Sequence, residues 1–159
     1  MTDSNARYGT VLVGTDGSES SLRAVERGAA VAHAAGGELV IVCAYDPPRS
    51  RDVEEAQEVL GDEAYKVVGS NPAEEALRAA RERAASAGLT AVETVAVVDD
   101  PVDALIDVVD KRDVDLLVVG NRGLNTLAGR VLGSVPSDVA RRASCDVLIV
   151  RTTRGGRWS

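Results

Sequence analysis

Two polar, glycine-bearing stretches hold the residues whose types and spacing could do chemistry. The first, Thr15-Asp16-Gly17-Ser18, directly follows the apolar run TVLVG. The second, GNRGLNTLAGRVLGSVPSDV at 120–139, has glycines at 120, 123, 129 and 133, arginines at 122 and 130, and hydroxyls at 126, 134 and 137. It leaves the apolar run DLLVV and enters a helical pattern. Free N–H groups at a helix start, with the helix dipole behind them, favour an anion. Glycines let the backbone approach that anion, Arg122 and Arg130 add positive charge, and Ser134 adds a hydroxyl donor. The competing explanation is that the glycines only permit a long turn, although a loop of this length in a compact domain is unusual without a function. The spacing matches neither GxxxxGK[ST] nor GxGxxG.

Other chemically capable residues have plainer roles. His33 lies inside a helical pattern with no triad or metal constellation around it. Cys43 and Cys145 are isolated, without a CxxC, and read as small core residues in a reducing compartment. Asp99-Asp100 could place Mg²⁺ near a phosphate, but Asp100 before Pro101 is more simply a helix N-cap. Glu54-Glu55 and Asp62-Glu63 read as solvated charges, and Arg151, Arg154 and Arg157 as a solubilising end. Asp16 differs from these, since it ends a strand and stands beside glycine and hydroxyls.

The elements that must position these groups follow from periodicity. Strands are expected at 10–14 (TVLVG), 38–44 (ELVIVCA), 90–98, 114–119 and 146–151 (DVLIVR). Helices alternate with them. At 18–35, Leu22, Val25, Ala29 and Ala32 form one apolar stripe that Gly36-Gly37 stops. Asn71-Pro72 with Glu74 reads as the start of a helix carrying Ala73, Leu77, Ala80, Ala84 and Ala87 on one face. Asp100-Pro101 with Asp103 opens another, with Val102, Leu105, Ile106 and Val109 inward, and Ser134 or Ser137 caps the last. Residues 45–70 form a polar connection or lid with one short helix near 53–60, and 152–159 a flexible tail.

Strands separated by helices imply right-handed crossovers and a parallel sheet covered on both faces. The expectation is a single three-layer α/β/α domain over 1–159 with five parallel strands in the order 3-2-1-4-5. The carboxyl ends of strands one and four then flank the switch point, where such sheets bind ligands. Both polar loops meet there.

Composition agrees. A chain of 159 residues fits one domain, and its 45% apolar residues without a single Phe suit aliphatic strands buried beneath helices. A net charge of −7 argues against nucleic acid as a partner, which needs a basic footprint, without excluding a local cationic pocket. The polar start, MTDSNAR, and the lack of a long apolar run point to a cytoplasmic protein with no membrane partner.

Gly120-Asn121-Arg122-Gly123, nine residues, then Gly133-Ser134 resembles the G-x2-G-x9-G-[ST] pattern of the universal stress protein family. VLVGTDGSESS, DLLVVGNRG and GSVPSDVARRASCDVLIV look like the same family, so the likeness spans nearly the whole chain. The resemblance implies an adenine nucleotide hydrolase-like fold, binding of an adenine nucleotide as in the family's ATP-binding branch, and a homodimer through the last strand. It places Asp16 at the nucleoside end and Val42, Cys43 and Ala44 against adenine, with Gly14 and Thr15 also among the nucleotide-binding residues. Gly120, Arg122, Gly123, Gly133, Ser134 and Val135 surround the phosphates. One departure stands out: Pro136 follows Gly-Ser-Val where the family often has Ser or Thr. It removes a hydroxyl and an N–H from the cradle, with Ser137 as a substitute, which opens the choice among ATP, AMP and cyclic AMP. The implied function is a regulatory or sequestering nucleotide module of the stress response. A slow ATPase or nucleotide phosphotransferase is the alternative.

Overall fold

The computed structural model describes residues 7–46, 64–122 and 133–152. In chain order these form β1 (Thr10–Gly14), α1 (Glu19–Ala35), β2 (Glu38–Tyr45), α2 (Ala64–Ser86), β3 (Val92–Val98), α3 (Pro101–Lys111), β4 (Leu116–Gly120), α4 (Ser134–Arg142) and β5 (Asp146–Val150). The strands make one five-stranded sheet in the order β3-β2-β1-β4-β5. Every neighbouring pair is parallel. The expected three-layer topology is therefore the observed one.

Alternation along each strand sorts side chains between two apolar layers. Val11, Val13, Leu39, Ile41, Cys43, Leu116 and Val118 face α1 and α2. Leu12, Val40, Val42, Leu117 and Val119 face α3 and α4. Because both faces are covered, the central strands read as continuous apolar runs, which is why no period-two pattern marks them in the sequence.

The helices start and stop largely where their local chemistry directs. Ser18 caps α1, its side chain accepting from the Ser21 N–H, and Gly36 ends that helix at φ 71°. At α3, Asp100 Oδ1 accepts from the Val102 N–H at 3.0 Å and the Asp103 N–H at 3.4 Å, with Pro101 in the first turn. Two expectations are corrected. Asn71-Pro72 does not open a helix, since α2 begins at Ala64 and carries Pro72 inside it. Proline's fixed φ is itself helical, so a chain can run through it at the loss of one hydrogen bond. From Ala73 on, the expected stripe is buried at Ala73, Leu77, Ala80 and Ala84. Nor does Ser134 or Ser137 cap α4: Gly133 is the N-cap and no side chain bonds there. The short helix at 53–60 and most of the expected 45–70 connection lie outside the described residues, but Tyr45 ends β2 and 64–70 belong to α2. Residues 153–159 of the expected flexible tail also lie outside them, whereas Thr152, expected at its start, is only 3% exposed because its polar atoms are hydrogen-bonded.

Candidate active cleft at the sheet switch point

Register brings the two lips of the cleft together. Val13 sits beside Val118 on β4 and beside Ile41 on β2, and Gly14 lies beside Val42. Beyond these ends the chain opens into a cleft lined by Gly14, Thr15, Asp16, Val42, Ala44, Gly120, Arg122 and Val135. All eight are residues that the sequence marks out. Ser21, Pro101, Leu105, Val119 and Pro136 complete the wall. Val119 and Leu105 escape notice in the sequence because apolar residues on a strand and a helix are indistinguishable from core until the layers are stacked. Ser21 had a signal, the hydroxyl-rich run SESS just after Asp16.

The remaining expected residues are placed differently. Cys43 alternates away from Val42 and Ala44, so its side chain lies in the α1/α2 layer at 4% exposure. Any part it plays in the cleft is through its backbone. Gly133 is buried, Ser134 exposed and Ser137 half-buried at the start of α4. Gly123 and Arg130 lie outside the described residues.

The first lip is a self-supported turn. The Thr15 N–H donates to the Val42 carbonyl at 2.9 Å, which ties the loop to β2. Thr15 Oγ1 lies 2.8 Å from Ser21 Oγ and accepts from the Gly17 N–H at 3.1 Å. Asp16 Oδ1 accepts from the Ser18 N–H at 2.9 Å. Partial burial pushes the Asp16 carboxyl up, but the hydrogen bonds from Ser18 and Ser21 outweigh it and hold the group below the usual carboxylate range. Asp16 is thus a fixed anion at neutral pH. Gly17, at φ 84°, makes the turn, and a Cβ added there would lie 3.0 Å from that of Ala76.

The second lip is drawn together at its base. The Gly133 N–H donates to the Asn121 carbonyl at 3.1 Å, joining the two ends of the glycine loop. Gly133 has φ −60° and ψ 162°, a conformation open to any residue, so its dihedral angles do not require glycine. Helix α4 begins without a side-chain cap. Its first N–H groups point out of the helix, and Pro136, the third residue, contributes none. Asp99 and Asp100 are engaged locally: Asp99 Oδ1 accepts from the Asp100 N–H at 2.8 Å, and Asp100 caps α3. Among the described residues no three His, Cys, Asp or Glu side chains group as metal ligands would.

The cleft therefore offers apolar walls from Val42, Ala44, Leu105, Val119, Val135 and Pro136, an anion at Asp16 and a cation at Arg122. A flat apolar ring with hydroxyls on one side and an acidic group on the other has complementary chemistry.

This chain is similar to known proteins of one family. Residues 7–151 match the universal stress protein family. The universal stress protein Rv1636 of Mycobacterium tuberculosis (strain H37Rv) is 53% identical over 146 residues, covering 92% of this chain and 98% of its own. A universal stress protein crystallised in complex with cAMP is 47% identical, with a TM-score of 0.72, over 93% of this chain and all of that one. An Arabidopsis thaliana family protein with AMP bound shares the fold at 18% identity, with a TM-score of 0.63, over 91% of this chain and 92% of its own.

Proposed function

Because this chain belongs to the universal stress protein family, we propose that its cleft binds an adenine nucleotide, and that the protein acts as a cytoplasmic regulatory or sequestering module of the stress response. In this reading the base lies against Val42 and Ala44, and Asp16 receives the ribose hydroxyls. The phosphate meets Arg122, the Gly120 backbone and the start of α4 at Gly133, Ser134 and Val135, with Ser137 beside them and Gly123 contributing from the rest of the loop. The observation that carries the proposal is the convergence of both polar loops on one cleft with apolar walls. A relative 47% identical over nearly the whole chain was crystallised with cAMP, which supports the ligand class.

Binding is favoured over catalysis. Phosphoryl transfer needs a positioned nucleophile, a base and stabilisation of the transferring charge. Asp16 is the carboxylate in the cleft, and the hydrogen bonds that depress its pKa make it a weak base. Pro136 removes one donor from the phosphate end, so a monophosphate or cyclic phosphate should bind at least as well as ATP.

Titration calorimetry with ATP, AMP and cAMP, with and without Mg²⁺, tests the proposal. Gly133→Val should abolish binding while the circular dichroism spectrum stays native. Ser134→Ala should weaken AMP by about 1.5–3 kcal/mol, roughly ten- to a hundredfold, the worth of a hydrogen bond to a charged group. Retained binding by Gly133→Val would overturn the site, and a strong Mg²⁺-dependent preference for ATP would overturn the role given to Pro136.

A further inference from the structure

Thr152 lies just past β5, outside the cleft lining and away from every motif, yet it is a polar residue only 3% exposed. All its polar atoms are engaged. Its N–H donates to Asn121 Oδ1 at 2.9 Å and its hydroxyl donates to the same atom at 3.1 Å. Because a backbone N–H can only donate, the Asn121 atom facing Thr152 is its oxygen. The Thr152 proton being spent on Asn121, the Ser20 hydroxyl must donate to Thr152 Oγ1. The Thr152 carbonyl accepts from the Arg23 guanidinium at 2.7 Å.

This chain of bonds spans both lips of the cleft. Ser20 lies in the first turn of α1, directly after the Asp16-Gly17-Ser18 turn. Asn121 stands where β4 enters the glycine loop, its N–H donating to the Val150 carbonyl at 2.8 Å and its carbonyl accepting from Gly133. Asn121 is thus clamped to β5 through side chain and backbone together, and in turn fixes where Gly133 and the start of α4 stand. The Thr152 methyl packs close to Gly120, where an added Cβ would lie 3.2 Å from it. Small displacements of anion-binding N–H groups are costly, because such bonds depend on both distance and angle.

We propose that Thr152 is a positioning residue for the phosphate end of the cleft, acting through Asn121 to hold Gly133 and the α4 N-terminus in place. It rests on the nucleotide reading above and adds a residue outside the glycine motif to it. The signature is selectivity for phosphate: loosening the clamp should hurt AMP and spare adenosine, which has nothing at that end.

Calorimetry with AMP and with adenosine on wild type, Thr152→Val and Thr152→Ser, well below each variant's melting temperature, provides the test. Thr152→Val keeps the shape and loses the hydroxyl, and should raise the Kd for AMP about three- to tenfold, as expected for one lost hydrogen bond. Its Kd for adenosine should stay at the wild-type value, and Thr152→Ser should restore AMP binding. If Thr152→Val does not fold, Ser20→Ala breaks the outer link and should show the same selectivity with a smaller change. Unchanged AMP binding, or equal losses for AMP and adenosine, would overturn the positioning role alone. Wild-type protein that binds neither AMP nor cAMP would overturn the nucleotide reading and this role with it.

Discussion

Cys43 shows how one residue's neighbours set its chemistry. Burial, and secondarily the negative charge of Asp16, push its thiol up from 9.0 to about 11. A folded-state pKa above the unfolded one gives a contribution that is complete below about pH 9 and lost as pH rises toward 11. The expected loss across that window is about 2–3 kcal/mol, since each tenfold change in a proton equilibrium is worth about 1.4 kcal/mol. Urea unfolding of wild type and Cys43→Ala between pH 8 and pH 11 checks it: the wild-type curve should fall more steeply, and parallel curves would contradict the assignment. Cys145 is only half-buried and should react first with a thiol reagent in the native protein.

At the scale of elements, Gly36 and Gly37 look like one stop signal but do two jobs. Gly36 ends α1 at φ 71° with open space around it, so an alanine there meets only dihedral strain, about 1 kcal/mol. Gly37 has no unusual φ, yet an added Cβ would lie 2.3 Å from the Tyr8 carbonyl oxygen and 2.7 Å from that of Gly9. Those are backbone atoms at the entry to β1, next to the Glu38 N–H bond to the Gly9 carbonyl, and they cannot swing aside. Gly37→Ala should therefore cost more than Gly36→Ala, about 2–3 kcal/mol, the range of an overpacked site. Thermal unfolding of the two variants side by side would show a lower Tm for Gly37→Ala, and the reverse order would refute this account of the turn.

At the scale of the whole molecule, the sheet order leaves β5 as an edge, with β4 as its only strand neighbour among the described residues. Val147, Leu148 and Ile149 on it are half-buried rather than covered, and such an edge invites pairing with another chain. We propose a homodimer through β5. Sedimentation at micromolar concentration should show a dimer for the wild type and a shift toward monomer for Ile149→Lys. A wild type that stays monomeric would end the proposal. The second edge, β3, pairs with β2 through Val92 to Val98 against Leu39 to Tyr45, on the far side of the sheet from the glycine loop, so it bears less directly on the site.

Helix stripes, caps and strand runs were legible in the chain because they depend on neighbours within a few residues: Leu22, Val25, Ala29 and Ala32 are all buried as their spacing demands, and Asp100 caps α3 as its place before Pro101 implies. The strand-helix alternation, with the rule that crossovers are right-handed, carried this to the sheet order and the two loops at the switch point. Where the sequence signal was ambiguous, the packing decided. Asn71-Pro72 favours a helix start by its local chemistry, and only the whole chain places it inside α2. The face on which Cys43 lies depended on register across β1 and β2, since a one-residue slip would exchange it with Val42. Leu105 and Val119 were marked only as core, and Thr152 only as the start of a tail. Their roles arise from contacts across long stretches of chain, Thr152 with Asn121 and Ser20 above all, and such pairings exist only once the layers have come together.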